Sequence, residues 1–304
     1  MASVSGGVPD VLPPSGPPPL LNVDELQHLC GQGWLYYDLP QHLQDQLKEL
    51  SAAATSFFEK PSEEKVGLYP PSRGTEYGYY QVMGEKEYIT LRRQSQNGDP
   101  EIEKNASNVW TAVGRLFHRI LCDLSRAGDI DSAVWDGLVA ESLACPPADT
   151  DLDNVTSLMR LFRYLPESGT ADQHTDLGLL TLCIGGGSGL QVLDRSGEGQ
   201  WLDATRPTIL VGATLSALSQ GLIRPGSHKV VGNPNGRYSI VFALRPHLQG
   251  HTDLALFGGE GVVENRKLYA DVKGKKYNVN ARPEIREQQR QAQRDRLRAQ
   301  NGMG

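Results

Sequence analysis

Three side chains of the types that ligate metals stand out in the sequence: His174, Asp176 and, much later in the chain, His228. His174 and Asp176 are two residues apart, so on a strand their side chains point to the same face. Two imidazoles and one carboxylate form the facial triad that suits non-haem Fe(II), and they leave the opposite coordination positions open. The three residues are therefore the candidate metal ligands and catalytic residues.

A possible carboxylate receptor follows the second histidine. Arg237 and Ser239 are again two residues apart, on the strand-like run RYSIVFALRP. A guanidinium binds a carboxylate through two parallel hydrogen bonds, and a neighbouring hydroxyl adds a third donor. A metal triad next to such a receptor predicts a metal-chelating organic acid as co-substrate.

These motifs, taken together, resemble a known family. The segment His174-Thr175-Asp176, the LLTL run after it, His228 and Arg237-Tyr238-Ser239 look like the signature of the 2-oxoglutarate- and Fe(II)-dependent dioxygenases, in the branch that includes isopenicillin N synthase. The resemblance extends over about residues 33 to 246. It implies Fe(II), 2-oxoglutarate and O2 as cofactors and co-substrates, with the far carboxylate of 2-oxoglutarate on Arg237 and Ser239.

The same resemblance implies further contacts. Tyr164, on the strand before the triad, is a candidate for a co-substrate contact. In relatives a glycine- and tyrosine-rich stretch runs past the substrate entrance, which makes Tyr79, Tyr80 and Arg92 candidates for substrate contact. The alternative for these three residues is an irregular hairpin that packs on the helices.

A second copy of the first motif shows how weak that motif is alone. His251-Thr252-Asp253 repeats the HTD sequence, but no histidine follows it. We therefore interpret it as a coincidence in a surface segment.

The order of predicted elements indicates a mainly β fold with flanking helices. Apolar residues at helical spacing predict helices over 41–60, 107–126 and 131–143, and short runs divided by turn residues predict strands from residue 155 onward. The family resemblance implies a double-stranded β-helix, or jelly-roll, core with N-terminal helices and a C-terminal helix. One catalytic unit is expected, made of a flexible proline-rich lead-in (1–20), a helical and mixed region (21–150), the core (151–250) and a C-terminal extension, a possible lid (251–304).

Composition excludes several classes of protein. The chain has 304 residues and a net charge of −6, which gives no reason to expect a nucleic-acid partner. It has no apolar run long enough to span a membrane and no secretory signal at its start, so a cytoplasmic location is expected. The cysteines lack the spacing of a disulfide frame or a zinc site and are expected to be reduced: Cys30, Cys122, Cys145 and Cys183.

Arginine recurs every four residues near the C-terminus, at 282, 286, 290, 294 and 298. This spacing predicts a helix that is mostly exposed to solvent. The alternatives are a lid over the site or an interface with a second subunit, so the oligomeric state stays open and includes a homodimer.

Three functions are compatible with the sequence. The first is an oxygenase that hydroxylates or otherwise oxidises a C–H bond of a small organic molecule, with release of succinate and CO2, as a step in natural-product biosynthesis. The second is an iron-dependent oxidase that needs no 2-oxoglutarate, like isopenicillin N synthase. The third is a non-catalytic scaffold that binds a small molecule.

Overall fold

A computed structural model describes residues 18–72, 74–276, 279–281 and 283–301. Most of the proline-rich lead-in predicted for residues 1–20 and one of the C-terminal arginines, Arg282, lie outside the described residues. The helices of the described chain are α1 Val23–Gln32, α2 Gln41–Phe58, α3 Ser62–Leu68, α4 Pro100–Ala127, α5 Ala133–Val139, α6 Ala213–Leu218, α7 Asn265–Lys273 and α8 Pro283–Asn301.

The strands form antiparallel sheets. They are β1 Trp34–Tyr36, β2 Gly78–Val82, β3 Lys86–Leu91, β4 Leu158–Tyr164, β5 Ala171–His174, β6 Leu180–Gly185, β7 Leu190–Asp194, β8 Gln200–Asp203, β9 Thr208–Val211, β10 His228–Val230, β11 Arg237–Leu244, β12 His251–Asp253 and β13 Val262–Glu264. The large sheet has the order β1-β9-β6-β11-β4-β3-β2, and a smaller sheet has the order β5-β10-β7-β8. Strands β12 and β13 pair by themselves.

The two faces of the large sheet bury different clusters. On one face, residues such as Phe242 of β11 pack against Trp110 of α4, with ring centroids 5.0 Å apart. On the other face, residues such as Phe162 and Tyr164 of β4 pack with side chains of the small sheet, including Val192. Because side chains alternate along a strand, every second residue of β4 and β11 points into the space between the two sheets. This is the double-stranded β-helix predicted from the sequence.

The long helix begins earlier than predicted. The side chain of Asp99 accepts hydrogen bonds from the backbone amides of Glu101 and Ile102, and Pro100 occupies the first helical position. Both features are typical of a helix start, so α4 begins at residue 100 rather than at 107. The prediction missed the first two turns, although Ile102 and Ala106 are buried there.

Several elements differ from the prediction, and three of the differences concern the site. The Gly-Tyr-rich segment forms a regular hairpin, β2 and β3, which extends the large sheet. Strand β5 was not predicted, because its sequence Ala-Asp-Gln-His has no apolar alternation. Helix α6 was not predicted either; it lies between β9 and β10, where only turn signals were recognised.

The C-terminal helix is not wholly exposed, so the prediction of a solvated helix is wrong at Arg286. This side chain is 6% exposed and forms a 2.6 Å ion pair with Glu85 in the β2–β3 turn. Arg290 forms a 2.7 Å ion pair with Asp172 of β5. One edge of α8 therefore docks beside the strand that ends at His174. None of the described helices is long and apolar enough to cross a lipid bilayer.

Candidate metal centre

The structure brings His174, Asp176 and His228 together. His174 ends β5 and His228 begins β10, and the two residues are direct partners in this antiparallel pair. Asp176 follows in the turn after β5, with its carboxylate oxygens 3.8 Å from Nε2 of His174 and 3.9 Å from Nε2 of His228. One ligand atom from each residue lies within 4.8 Å of the others, and among the described residues no other group of three His, Cys, Asp or Glu does so.

Both imidazoles are held in the orientation that a metal ligand needs. Nδ1 of His174 lies 2.6 Å from the carbonyl oxygen of Asp172, and Nδ1 of His228 lies 3.1 Å from that of Gly226. A ring nitrogen this close to a carbonyl oxygen carries the proton, which leaves Nε2 with its lone pair. The Nε2 atoms of both rings face Asp176, so the carbonyl contacts behind the rings support them as such contacts do in metal sites.

The charges of the site suit a cation. Burial lowers the pKa of His174 to about 3, and the neighbouring His228 adds to this effect, so the ring is neutral at pH 7. Burial alone would raise the pKa of the Asp176 carboxyl, but interaction with the two imidazoles outweighs it and holds the pKa below its ordinary value. Oδ2 of Asp176 is buried and has no hydrogen-bond partner in the part of the chain that the structure describes. A buried carboxylate oxygen without a partner is costly, and a metal ion at this point would satisfy it.

The arginine of the predicted carboxylate receptor is buried and unpaired. Arg237 is 5% exposed, and its Nε has no hydrogen-bond partner among the described residues. The guanidinium lies against the backbone of Gly185, where a β-carbon would be 2.5 Å from Nε. Burial lowers the pKa of Arg237, but a guanidinium stays charged in proteins. A buried cation of this kind is able to bind an anion.

Ser239 and Tyr164 lie beside Arg237. Both line the same narrow cavity as the triad, and Tyr164 is the direct cross-strand partner of Arg237. The hydroxyl of Ser239 donates to the carbonyl oxygen of Ile184 at 2.9 Å, so it would have to rotate to donate to a carboxylate. The structure thus brings Arg237, Ser239 and Tyr164 together in the space between the sheets.

Comparison with solved structures identifies the fold. The structure matches that of a full-length Neurospora crassa protein in complex with alpha-KG and 5-formyluracil, with a TM-score of 0.65, 18% identity, and coverage of 83% of this chain and 89% of that one. It matches a putative 2OG-Fe(II) oxygenase family protein from Caulobacter crescentus with a TM-score of 0.64, 20% identity, and coverage of 82% and 93%. A third match is JOX2 in complex with 2OG, Fe and JA, with a TM-score of 0.59, 18% identity, and coverage of 73% and 70%.

The chain has the 2-oxoglutarate/Fe(II) oxygenase fold. The resemblance read from the sequence motifs is thereby confirmed at the level of the fold. No family model matches the sequence, and no curated protein matches it closely enough to count as a relative.

Within this oxygenase fold, the three predicted substrate contacts are not brought together. Tyr79 lies on the face of the large sheet that packs on helix α2, where its hydroxyl donates to Glu87 at 2.5 Å. Tyr80 lies on the inner face but stacks on Tyr88, with ring centroids 5.4 Å apart, and does not line the triad cavity. Arg92 is buried and donates to the carbonyl oxygens of two loops. These positions do not support a substrate contact for Tyr79 or Arg92.

The repeated HTD motif lies elsewhere in this fold. His251-Thr252-Asp253 forms β12, and the Thr252 hydroxyl donates to the side chain of Asn265 at 2.6 Å. The motif belongs to no cluster of metal-ligating side chains in the described chain, as its lack of a following histidine indicated.

A second cavity adjoins the triad, and no sequence motif predicts it. It has a volume of about 250 Å³ and meets the first cavity at Arg160, His174 and Asp176. Its wall includes Lys276, which no motif marks, because α7 and the following turn come from a part of the chain with no recognised pattern. Cys183, predicted to pack in the barrel wall, is buried as expected and lines the first cavity. All four cysteines are free, as predicted.

Proposed function

We propose that this protein is a non-haem Fe(II)- and 2-oxoglutarate-dependent oxygenase that oxidises a small organic molecule. The observation that carries the proposal is the buried guanidinium of Arg237, which forms no ion pair within the described part of the chain and lies in the same cavity as the His174, Asp176 and His228 triad. The triad alone would suit several iron enzymes. The arginine adds a specific requirement for a second, anionic component next to the metal.

Different residues of the site would bind the metal and the co-substrate. His174, Asp176 and His228 would hold Fe(II) through Nε2, a carboxylate oxygen and Nε2, and Arg237 would bind the far carboxylate of 2-oxoglutarate, with Ser239 as an additional donor after rotation. When bound, iron, 2-oxoglutarate and O2 supply the oxidising power to functionalise a C–H bond, with release of succinate and CO2. Phe162, Tyr164 and Cys183 are buried around the cavity and form its apolar wall.

Structural neighbours support the small-molecule part of the proposal. The Neurospora crassa protein has been crystallised with alpha-KG and thymine, and JOX2 with 2OG, Fe and JA. A role in natural-product biosynthesis rests on the sequence resemblance, and a cytoplasmic location rests on the composition. Both are part of the proposal, with hydroxylation or a related C–H oxidation as the reaction.

The test is a stepwise anaerobic titration of the purified metal-free protein with Fe(II) and then 2-oxoglutarate. We expect a weak visible charge-transfer band that requires both components. The band should be lost in Arg237→Gln at limiting 2-oxoglutarate and restored at high concentration. Iron binding without any band in the wild-type protein would favour the oxidase that needs no 2-oxoglutarate, and absence of iron binding would refute both enzymes.

A further inference from the structure

The second cavity beside the triad carries an excess of positive charge. Four cationic side chains contribute to its wall, and two carboxylates oppose them, one of which is the triad residue Asp176. The cations are Arg160, Arg245, Lys273 and Lys276, and the other carboxylate is Glu76. Once a metal ion takes up the charge of Asp176, only Glu76 remains to balance four positive charges.

Arg160 and Arg245 both form ion pairs with Glu76. Its carboxylate lies 3.2 Å from Nη2 of Arg160 and 3.5 Å from Nη1 of Arg245. Nη1 of Arg245 also donates to the carbonyl oxygen of Thr156. The backbone of Glu76 adopts a φ of 64°, which a residue with a side chain rarely does without support from its surroundings. Glu76 is thus held between the guanidiniums and fixes both of them in the wall.

Lys276 is the cation whose ammonium has hydrogen-bond donors available for a ligand. Its ammonium contacts the hydroxyl of Thr175, the residue between two of the metal ligands, and it forms no ion pair among the described residues. Asp176 is the carboxylate that attracts it electrostatically. An ammonium has three donors, so a bound anion could accept from Lys276 while Thr175 keeps its contact. Lys273, in the same wall, adds positive potential.

We infer that this cavity is the substrate pocket and that it selects a small organic anion, whose carboxylate binds to Lys276. The two cavities then have separate tasks. Arg237 binds the acid co-substrate on one side of the triad, and Lys276 binds the acid group of the substrate on the other side. The inference rests on the proposed function, because the bound anion is a substrate only if the protein is the oxygenase. Binding of the anion to Lys276 does not itself require iron.

The experiment uses the metal-free protein carrying Arg237→Gln, which removes the unpaired cation of the other cavity. Binding of three acids and their matching neutral amides is measured by ligand-observed NMR: benzoate and benzamide, 3-phenylpropanoate and 3-phenylpropanamide, hexanoate and hexanamide. We expect each acid to bind at least about tenfold more tightly than its amide, since charge-assisted hydrogen bonds are stronger than neutral ones.

Three further variants locate the binding site. Lys276→Gln should remove the preference for acids and leave amide binding unchanged, and Lys276→Arg should keep the preference. Lys267→Gln changes the net charge by the same amount at an exposed position of α7, so it should have no effect. The inference is overturned if acids and amides bind equally in the Arg237→Gln protein, or if Lys276→Gln retains the preference.

These outcomes are separate from those that test the proposed function. If the protein prefers acids through Lys276 but gives no charge-transfer band with iron and 2-oxoglutarate, the anion-binding pocket is supported and the oxygenase is refuted. If the band is normal but acids and amides bind equally, the proposed oxygenase is supported and the proposal of an anionic substrate is refuted.

Discussion

His174 and His228 face each other directly across antiparallel strands, with ring centroids 4.1 Å apart. In each case Nδ1 lies close to the carbonyl oxygen of the residue two positions earlier, Asp172 or Gly226. Strand pairing therefore sets the distance between the rings, and a local backbone contact sets the orientation of each ring. Both constraints come from the protein chain itself, which is the form of preorganisation that a catalytic site needs.

This arrangement predicts that loss of one imidazole removes metal binding without unfolding the protein. We expect His174→Ala to weaken Fe(II) or Mn(II) binding by at least about 100-fold, the upper end of what loss of a supporting group costs a metal site. Isothermal titration calorimetry measures the change. The matched control is His251→Ala in the second HTD motif, which should bind metal like the wild type. Equal loss in both variants would contradict the assignment of the triad.

Gly185 offers a test of Arg237 that leaves the arginine in place. A β-carbon at residue 185 would overlap the guanidinium, so Gly185→Ala should displace it and weaken 2-oxoglutarate binding by about 10- to 100-fold, the equivalent of one charge-assisted contact. Metal affinity should not change. At Gly186 a β-carbon meets no atom within 4 Å, so Gly186→Ala serves as the control. Titration of both variants with 2-oxoglutarate in the presence of Mn(II) would show the difference, and similar affinities would contradict the proposed role of Arg237.

The comparison of sequence and structure shows which information is local. The metal ligands could be predicted from their residue types and their spacing in the sequence, although Asp176 lies just past β5, which ends at His174. Arg237 and Ser239 share one face of β11 because side chains alternate along a strand. Strand β5 carries His174 but could not be predicted, because its sequence has no apolar alternation. It is stabilised by pairing with β10. Lys276 was missed for a similar reason, since its place beside Thr175 depends on how the segment after α7 returns to the core. The fold class followed from the family motifs, whereas the second cavity is a product of tertiary packing.

Helix α8 should loosen when its buried arginine is removed. Arg286→Ala leaves Glu85 and Asp172 without this partner, and we expect the free energy of local opening of α8 to fall by about 1–3 kcal/mol, the range for hydrogen bonds to charged groups. Hydrogen exchange of the α8 amides measures this change. Arg298→Ala is the control, because the Arg298 side chain is 78% exposed and surface pairs contribute little. Unchanged exchange in Arg286→Ala would show that the ion pair does not hold the helix.

The ion pairs of Glu76 predict a specific dependence of stability on pH. Burial alone would raise the pKa of the Glu76 carboxyl, but Arg160 and Arg245 outweigh burial and lower the pKa from 4.5 to about 2. Because the pKa is lower in the folded than in the unfolded protein, the carboxylate stabilises the fold above about pH 4.5. This stabilisation is lost as the pH falls from 4.5 towards 2.

Glu76→Gln removes the charge but keeps the size of the side chain, so it isolates this effect. We expect the variant to have a lower free energy of unfolding than the wild type at pH 6, because Arg160 and Arg245 lose their carboxylate. The difference should shrink progressively between pH 4.5 and pH 2, where the wild-type carboxyl also becomes neutral. Urea denaturation of both proteins at a series of pH values measures it. A difference that stays constant from pH 6 to pH 2 would mean that Glu76 is not held as a carboxylate between the two arginines.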